Sequence, residues 1–226
     1  SMIDMCNNRE ISYIFHFDKG ASSRVLNYAY NGLFYDIISE DEFGNETKMR
    51  FQPLYKLDTA YDKTWCENWL CNILLLNGLK VTAIHRTRIK EAIKDLAKWQ
   101  GDDRRKRTMS NLHTLIQDPE LKDIFVNYTK SDSVGEIFDG EEYKVDMARY
   151  TVFEMRSLLT LADKKIIVPV IEFLFKVIED NINSQIQELL KPEDVATVAK
   201  SEVVENDSLF EDLPGTLDDI PPTSNC

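Results

Sequence analysis

Two runs dense in aromatic and β-branched residues, Ile11 to Phe17 and Leu33 to Ile38, stand close together in the chain with a tight turn and a short helical stretch between them. A helix between two strands implies a right-handed crossover, so the spacing predicts a parallel pair. The first run has no polar alternation, as expected of a strand covered on both faces, which is how parallel strands sit in α/β proteins. Ser23 to Tyr30 is the intervening helix, closed by Asn31-Gly32, a pair suited to the left-handed C-cap. The fold class that follows is α/β with a parallel sheet.

The turn FDKGASSRVL between strand and helix raises the question of phosphate binding. A P-loop requires the order GxxxxGK[ST], which supplies a nest of backbone N–H groups, a lysine for the outer phosphate and a hydroxyl for magnesium. This turn has one glycine, Gly20, and its lysine, Lys19, precedes it. Ser22 and Ser23 are N-cap residue types for the helix that follows. The turn is therefore not itself a phosphate cradle.

Beyond Asp58 the apolar period changes from strand to helix. Asp58 can cap a helix carrying Trp65, Trp69, Ile73 and Leu76, and Thr82 a second carrying Ile89, Ile93 and Leu96. Ser110 to Gln117 and Pro119 to Tyr128 read as two shorter helices, with Pro119 in the favoured first turn. Tyr150 to Met155 reads as a third buried strand and Ala162 to Leu190 as a long helix with Pro169 inside its pattern, where it kinks or begins. The expected organisation is a β-α-β core over 1–57, an all-helical insertion over 58–130, a return to the core over 131–191 and an acidic tail over 192–226. From Pro192 onward nine acids face the single base Lys200, so most of the net charge of −12 lies in the tail. Its composition suits disorder or a docked peptide.

The body before the tail is close to charge balance, which argues against a globally basic nucleic-acid surface. DDRRKR, Asp102 to Arg107, reads as a solvated loop. Cys6, Cys66, Cys71 and Cys226 show no metal-ligand spacing, and reduced thiols fit them best. His16, His85 and His113 lie in different elements, and no metal site is expected. IIVPVIEFLFKVI, from Ile166, carries Glu172 and Lys176 and is shorter than a membrane span. No Ser/His/Asp or Cys/His signature is present; Glu154 stands at a strand end and anchors the loop that follows.

In order along the chain, the phrases FDKGASSRVL, NGLFYDI, FQPL, KRTMSNLHTLIQD, YTKSDSVGEIFDG, YTVFEM and VPVIEFLFKVIE resemble the central part of the TrbE/CagE-type ATPases of conjugation and type IV secretion, of the RecA-like HerA/FtsK group. The resemblance runs from about Ile11 to Asp180. It implies a partial RecA-like sheet whose Walker A loop lies before the first strand here and whose Walker B acids lie after the long helix. The chain begins after the first motif, and NINSQIQELLKPEDVATVAK shows no apolar run ending in Asp-Glu.

What the resemblance implies about function is a fragment of the ATP-hydrolysing motor that energises type IV secretion or conjugative DNA transfer, not competent for hydrolysis alone. Asp18 is then a candidate to orient water or magnesium, or else caps the following helix with Ser22 or Ser23; Lys19, Ser22 and Arg24 are candidates for nucleotide contact. ATP and Mg²⁺ are implied for the complete family member, with neither bound by this segment alone. Implied partners are other type IV secretion subunits, with self-association as a ring in the complete protein, no direct nucleic-acid signal, and membrane association only through partners. The implied location is the bacterial cytoplasm at the inner-membrane face of the apparatus. The alternative reading is a non-catalytic interaction module, a truncated or split motor docking through its helical insertion and acidic tail.

Overall fold

The computed structural model describes residues 13–40, 46–141, 143 and 145–189. The acidic tail and Ile11-Ser12 lie outside the described residues. The chain divides into one compact unit over 1–179 and a second over 180–226, of which the described part, 180–189, is helical.

Strand β1 (Ile14–Asp18) leads through helix α1 (Arg24–Ala29) to β2 (Leu33–Asp36), followed by β3 (Ile38–Glu40) and β4 (Glu46–Lys48), which pair antiparallel. Helices α2 (Ala60–Leu76), α3 (Ala83–Leu96), α4 (Met109–Leu115) and α5 (Pro119–Phe125) come next, with 3-10 turns among them. β5 (Tyr150–Glu154), α6 (Arg156–Leu161) and the long α7 (Lys164–Leu189) close the described chain. β1, β5 and β2 form one parallel sheet in the order β1-β5-β2, with Asp18 and Asp36 each in register with Glu154. All five residues of β5 are buried, as befits the central strand. The expected parallel relation of β1 and β2 holds, but they are not neighbours: the distant β5 lies between them.

LFYDII is not one strand. β5 ends at Glu154, so β2 loses its partner after Asp36, and the chain turns at Ile37 to pair Ile38 with Lys48. Asn31 takes the left-handed conformation (φ 51°). Gly32 is needed for close approach, because a Cβ there would strike the Tyr150 carbonyl and the Asn27 amide. Asn27, fully buried, donates to the carbonyls of Leu33 (3.1 Å) and Tyr150 (3.4 Å) and so ties α1 to both β2 and β5.

Local chemistry sets the helix starts. Thr59 rather than Asp58 caps α2, in a capping box with Asp62. Asp58 instead meets Arg107 and Arg104, each at 3.1 Å. Burial works to raise the Asp58 carboxyl, but the Arg107 hydrogen bond and the two guanidinium charges hold it below its ordinary value. Arg107 corrects the reading of DDRRKR as a wholly solvated loop: it is 0% exposed and donates to the carbonyls of Tyr55 (2.6 Å), Trp99 (2.6 Å) and Ala97 (3.4 Å). Thr82 caps α3 as expected, and Thr108 caps α4, which begins at Met109.

Pro169 sits inside α7, which continues through it. A proline cannot donate to the carbonyl four residues earlier, Lys165. That carbonyl accepts instead from the Tyr128 hydroxyl (2.9 Å), which in turn accepts from the Asn77 amide (2.8 Å). Burial pushes the Tyr128 phenol up to about 12. The Pro169 carbonyl accepts from the Trp69 indole (3.1 Å), locking α7 against α2. Tyr128→Phe should cost about 1 kcal/mol in urea unfolding, the loss of a part-buried hydrogen bond. In a Pro169→Ala background, where residue 169 regains an N–H for Lys165, the same change should cost clearly less; equal costs in the two backgrounds would refute the substitution of one donor for the other.

Candidate functional site

Register places three carboxylates side by side, Asp18, Glu154 and Asp36, at the carboxyl edge of the parallel sheet. This is the edge where α/β proteins build their sites. Sequence reasoning singled out Asp18 and Glu154 one at a time; what it could not give was their adjacency, nor Asp36.

Asp18 is 6% exposed. Its Oδ1 accepts from the Lys19 N–H (2.8 Å) and the Ser22 hydroxyl (2.8 Å), its Oδ2 from the Ser23 N–H (2.8 Å). Burial alone would raise its carboxyl; the donors from Ser23, Ser22 and Lys19 outweigh that and hold it below the ordinary value. Ser23 occupies the N-cap position of α1 without a side-chain cap bond, and its hydroxyl lies 3.0 Å from His16 Nδ1.

Glu154 reaches under the turn. Its carboxylate accepts from the N–H of Gly20 (3.0 Å), of Ala21, and of Arg156 (2.7 Å). Gly20 (φ 110°) and Ala21 (φ 55°) lie in the left-handed half of backbone space, which turns their N–H groups inward as an anion nest. The anion in that nest is Glu154. The Arg156 guanidinium packs on Gly20 so closely that a Cβ there would lie 2.6 Å from it. Arg156 carries no sequence signal beyond following the strand by two residues.

Asp36 has a buried Oδ1 with no partner among the described residues. Burial, then the neighbouring Glu154 charge, push its carboxyl up, against a smaller downward pull from Arg24. Arg24 itself is exposed, with its guanidinium 5.4 Å from the centre of the Phe34 ring. Lys19 and Ser22 are exposed; Lys19 meets Asp18 through its backbone N–H and Ser22 through its hydroxyl. The structure thus gathers Asp18, Lys19, Ser22 and Arg24 around one turn.

Away from this edge, His85, Asp118 and Glu120 bring potential ligand atoms together. His85 Nδ1 accepts from the Thr82 N–H, however, so in the neutral ring Nε2 keeps its proton and directs it at Glu120 (3.5 Å). The neutral imidazole therefore offers no lone pair to a cation there.

A β-α-β unit, a parallel sheet and a set of helices between its strands define the class as α/β with a partial parallel sheet. No family model matches the chain. Over 168 residues (74% of the chain) it is 29% identical to the second portion of a probable TrbE conjugal transfer protein of Sinorhizobium fredii (strain NBRC 101917 / NGR234), and over 170 residues (75%) it is 29% identical to the conjugal transfer protein TrbE of Rhizobium radiobacter. The chain spans only 24% and 20% of those relatives. Its fold matches that of VirB4 of Thermoanaerobacter pseudethanolicus with a TM-score of 0.56 at 12% identity, covering 80% of this chain and 52% of the other. The resemblance to TrbE-type conjugation proteins is borne out.

The shifts at this edge predict opposite pH behaviour for its two aspartates. Asp18, with its folded value depressed below 3.8, adds stability that is complete above that pH and lost as pH falls through the folded value. Asp18→Asn should therefore cost about 2 kcal/mol at pH 7 and progressively less below pH ~3.8. Asp36, raised in the fold, weakens it when ionised, so Asp36→Asn should raise the urea midpoint at pH 7 and lose that advantage in acid. Parallel pH profiles for the two variants would contradict the assignment.

Proposed function

We propose that the chain is the central part of the motor domain of a TrbE/VirB4-type ATPase of type IV secretion or conjugative transfer, and that it does not hydrolyse ATP alone. The observation that carries this reading is the occupied turn. The anion nest at Gly20 and Ala21 holds Glu154, and both Asp18 oxygens already accept hydrogen bonds. The residues present do not fit Mg²⁺-ATP as a binding set, so the phosphate cradle comes from elsewhere in the complete motor. In this reading Glu154, Asp18 and Arg156 are positioning residues that hold the β1–α1 turn rigid beside the nucleotide. Residues 58–130 form the helical insertion of that motor and 192–226 an acidic appendage. The complete protein works with other secretion subunits, as a ring, at the cytoplasmic face of the inner membrane, and reaches the membrane through those partners; among the described residues no helix is long and apolar enough to cross one.

Each electrostatic element stabilising transition-state charge is typically worth about 10² to 10³ in rate, so the loss of a whole phosphate cradle should leave no turnover. The purified chain should show ATP hydrolysis no higher than a mock preparation. Its matching segment, substituted into the Rhizobium radiobacter TrbE, should give a folded protein that hydrolyses ATP. Hydrolysis by the chain alone that disappears in Asp18→Ala, or a folded but inactive chimera, would overturn the proposal.

A further inference from the structure

Helices α2 and α7 run antiparallel, as Tyr61 meets Glu179 at one end and Trp69 meets Pro169 further along. Between them lie two hollows of about 340 and 330 Å³ that meet at the Asn72–Glu172 hydrogen bond, which spans the groove between the helices. Its walls are Trp65, Asn72 and Leu75 from α2 and Val168, Glu172 and Phe175 from α7. The spacing along each helix is three, four or seven residues, so both walls present one face at intervals of a turn. Three large apolar side chains stand on or beside the rim with more than half their surface in solvent: Tyr61 (54%), Leu75 (56%) and Phe175 (56%).

The lining is mixed, with Asn68, Lys164, Lys176 and Glu179 beside the apolar residues, and a carboxylate sits at its middle. Glu172 Oε1 accepts from the Asn72 amide at 3.0 Å, whereas Oε2 is buried with no partner among the described residues. Of the two lysines of α7 that line the groove, Lys176 pairs with Asp62 at 3.6 Å and lies 4.9 Å from the centre of the Tyr61 ring, and Lys164 stands exposed two turns from Glu172. Burial pushes the Glu172 carboxyl up, opposed in part by the Asn72 donor. A buried carboxylate oxygen without a donor is costly, and a guanidinium or ammonium is the donor that gains most there. A groove between two helices with turn-spaced apolar walls fits an amphipathic helix laid along it.

We infer that the α2–α7 groove is a docking site for an amphipathic helix of a partner polypeptide that carries one arginine or lysine, directed to Glu172, among apolar residues on its contact face. The test uses a display library of 16-residue helical peptides randomised on one face, selected on the full chain, with the enriched peptides then measured by calorimetry. Enriched sequences should carry a single basic residue flanked by Leu, Ile or Phe at i±3 or i±4. Replacing that base with norleucine should weaken binding about tenfold to the wild type and leave binding to Glu172→Gln unchanged, the discrimination expected of one hydrogen bond to a charged group. Phe175→Glu, checked for intact far-UV dichroism, should abolish binding. Enriched peptides without a base, or affinities indifferent to both substitutions, would overturn the inference. So would a concentration-dependent dimer of the chain that Phe175→Glu disperses in sedimentation, which assigns the groove to a second copy.

Discussion

The carboxylate of Glu154 decides what the edge of this sheet can do. It stands at the end of the buried central strand and fills the nest formed by the turn between β1 and α1. In a phosphate-binding protein such a nest faces a ligand; here the protein supplies the anion itself. One interaction therefore fixes the turn, joins the first strand to the last across most of the chain, and leaves the turn's donors engaged. Asp18 repeats the device from the other side, gathering three donors from the same few residues.

The strands of the parallel sheet and the long helices were legible in the sequence because their signals are local, whereas the β3–β4 pair was not. The aromatic and β-branched runs at 14–18 and 150–154, and the apolar period of α2 and α3, arise from side chains that each element must bury by itself. Pairing was not legible. β5 enters between β1 and β2 because the sheet closes on a segment more than a hundred residues away, and no local pattern records such a partner. The break after Asp36 has the same origin, since the length of β2 is set by where β5 ends.

The same division holds at the site. Asp18 was readable as a strand-end acid, and Glu154 as an anchor for a loop. That the anchored loop is the DKGA turn follows only from register. Asp58 and Arg107 show the limit most clearly: by residue type Asp58 is the better cap, yet Thr59 takes the position because Arg107 holds Asp58. Arg107 looked like the end of a solvated charge run, and its burial depends on the carbonyls of Tyr55, Ala97 and Trp99, which every residue possesses and no sequence pattern marks. Tyr128 likewise gains its importance from a proline forty-one residues later.

The most direct measurement is of the amide resonances of Gly20 and Ala21 in ¹⁵N-labelled protein titrated with Mg²⁺-ATP. With Glu154 seated in the nest, both amides should keep their positions up to millimolar nucleotide, and both should shift on Glu154→Gln in the absence of any ligand. A saturable shift of Gly20 and Ala21 with nucleotide in the unaltered chain would mean that the turn is a phosphate site after all.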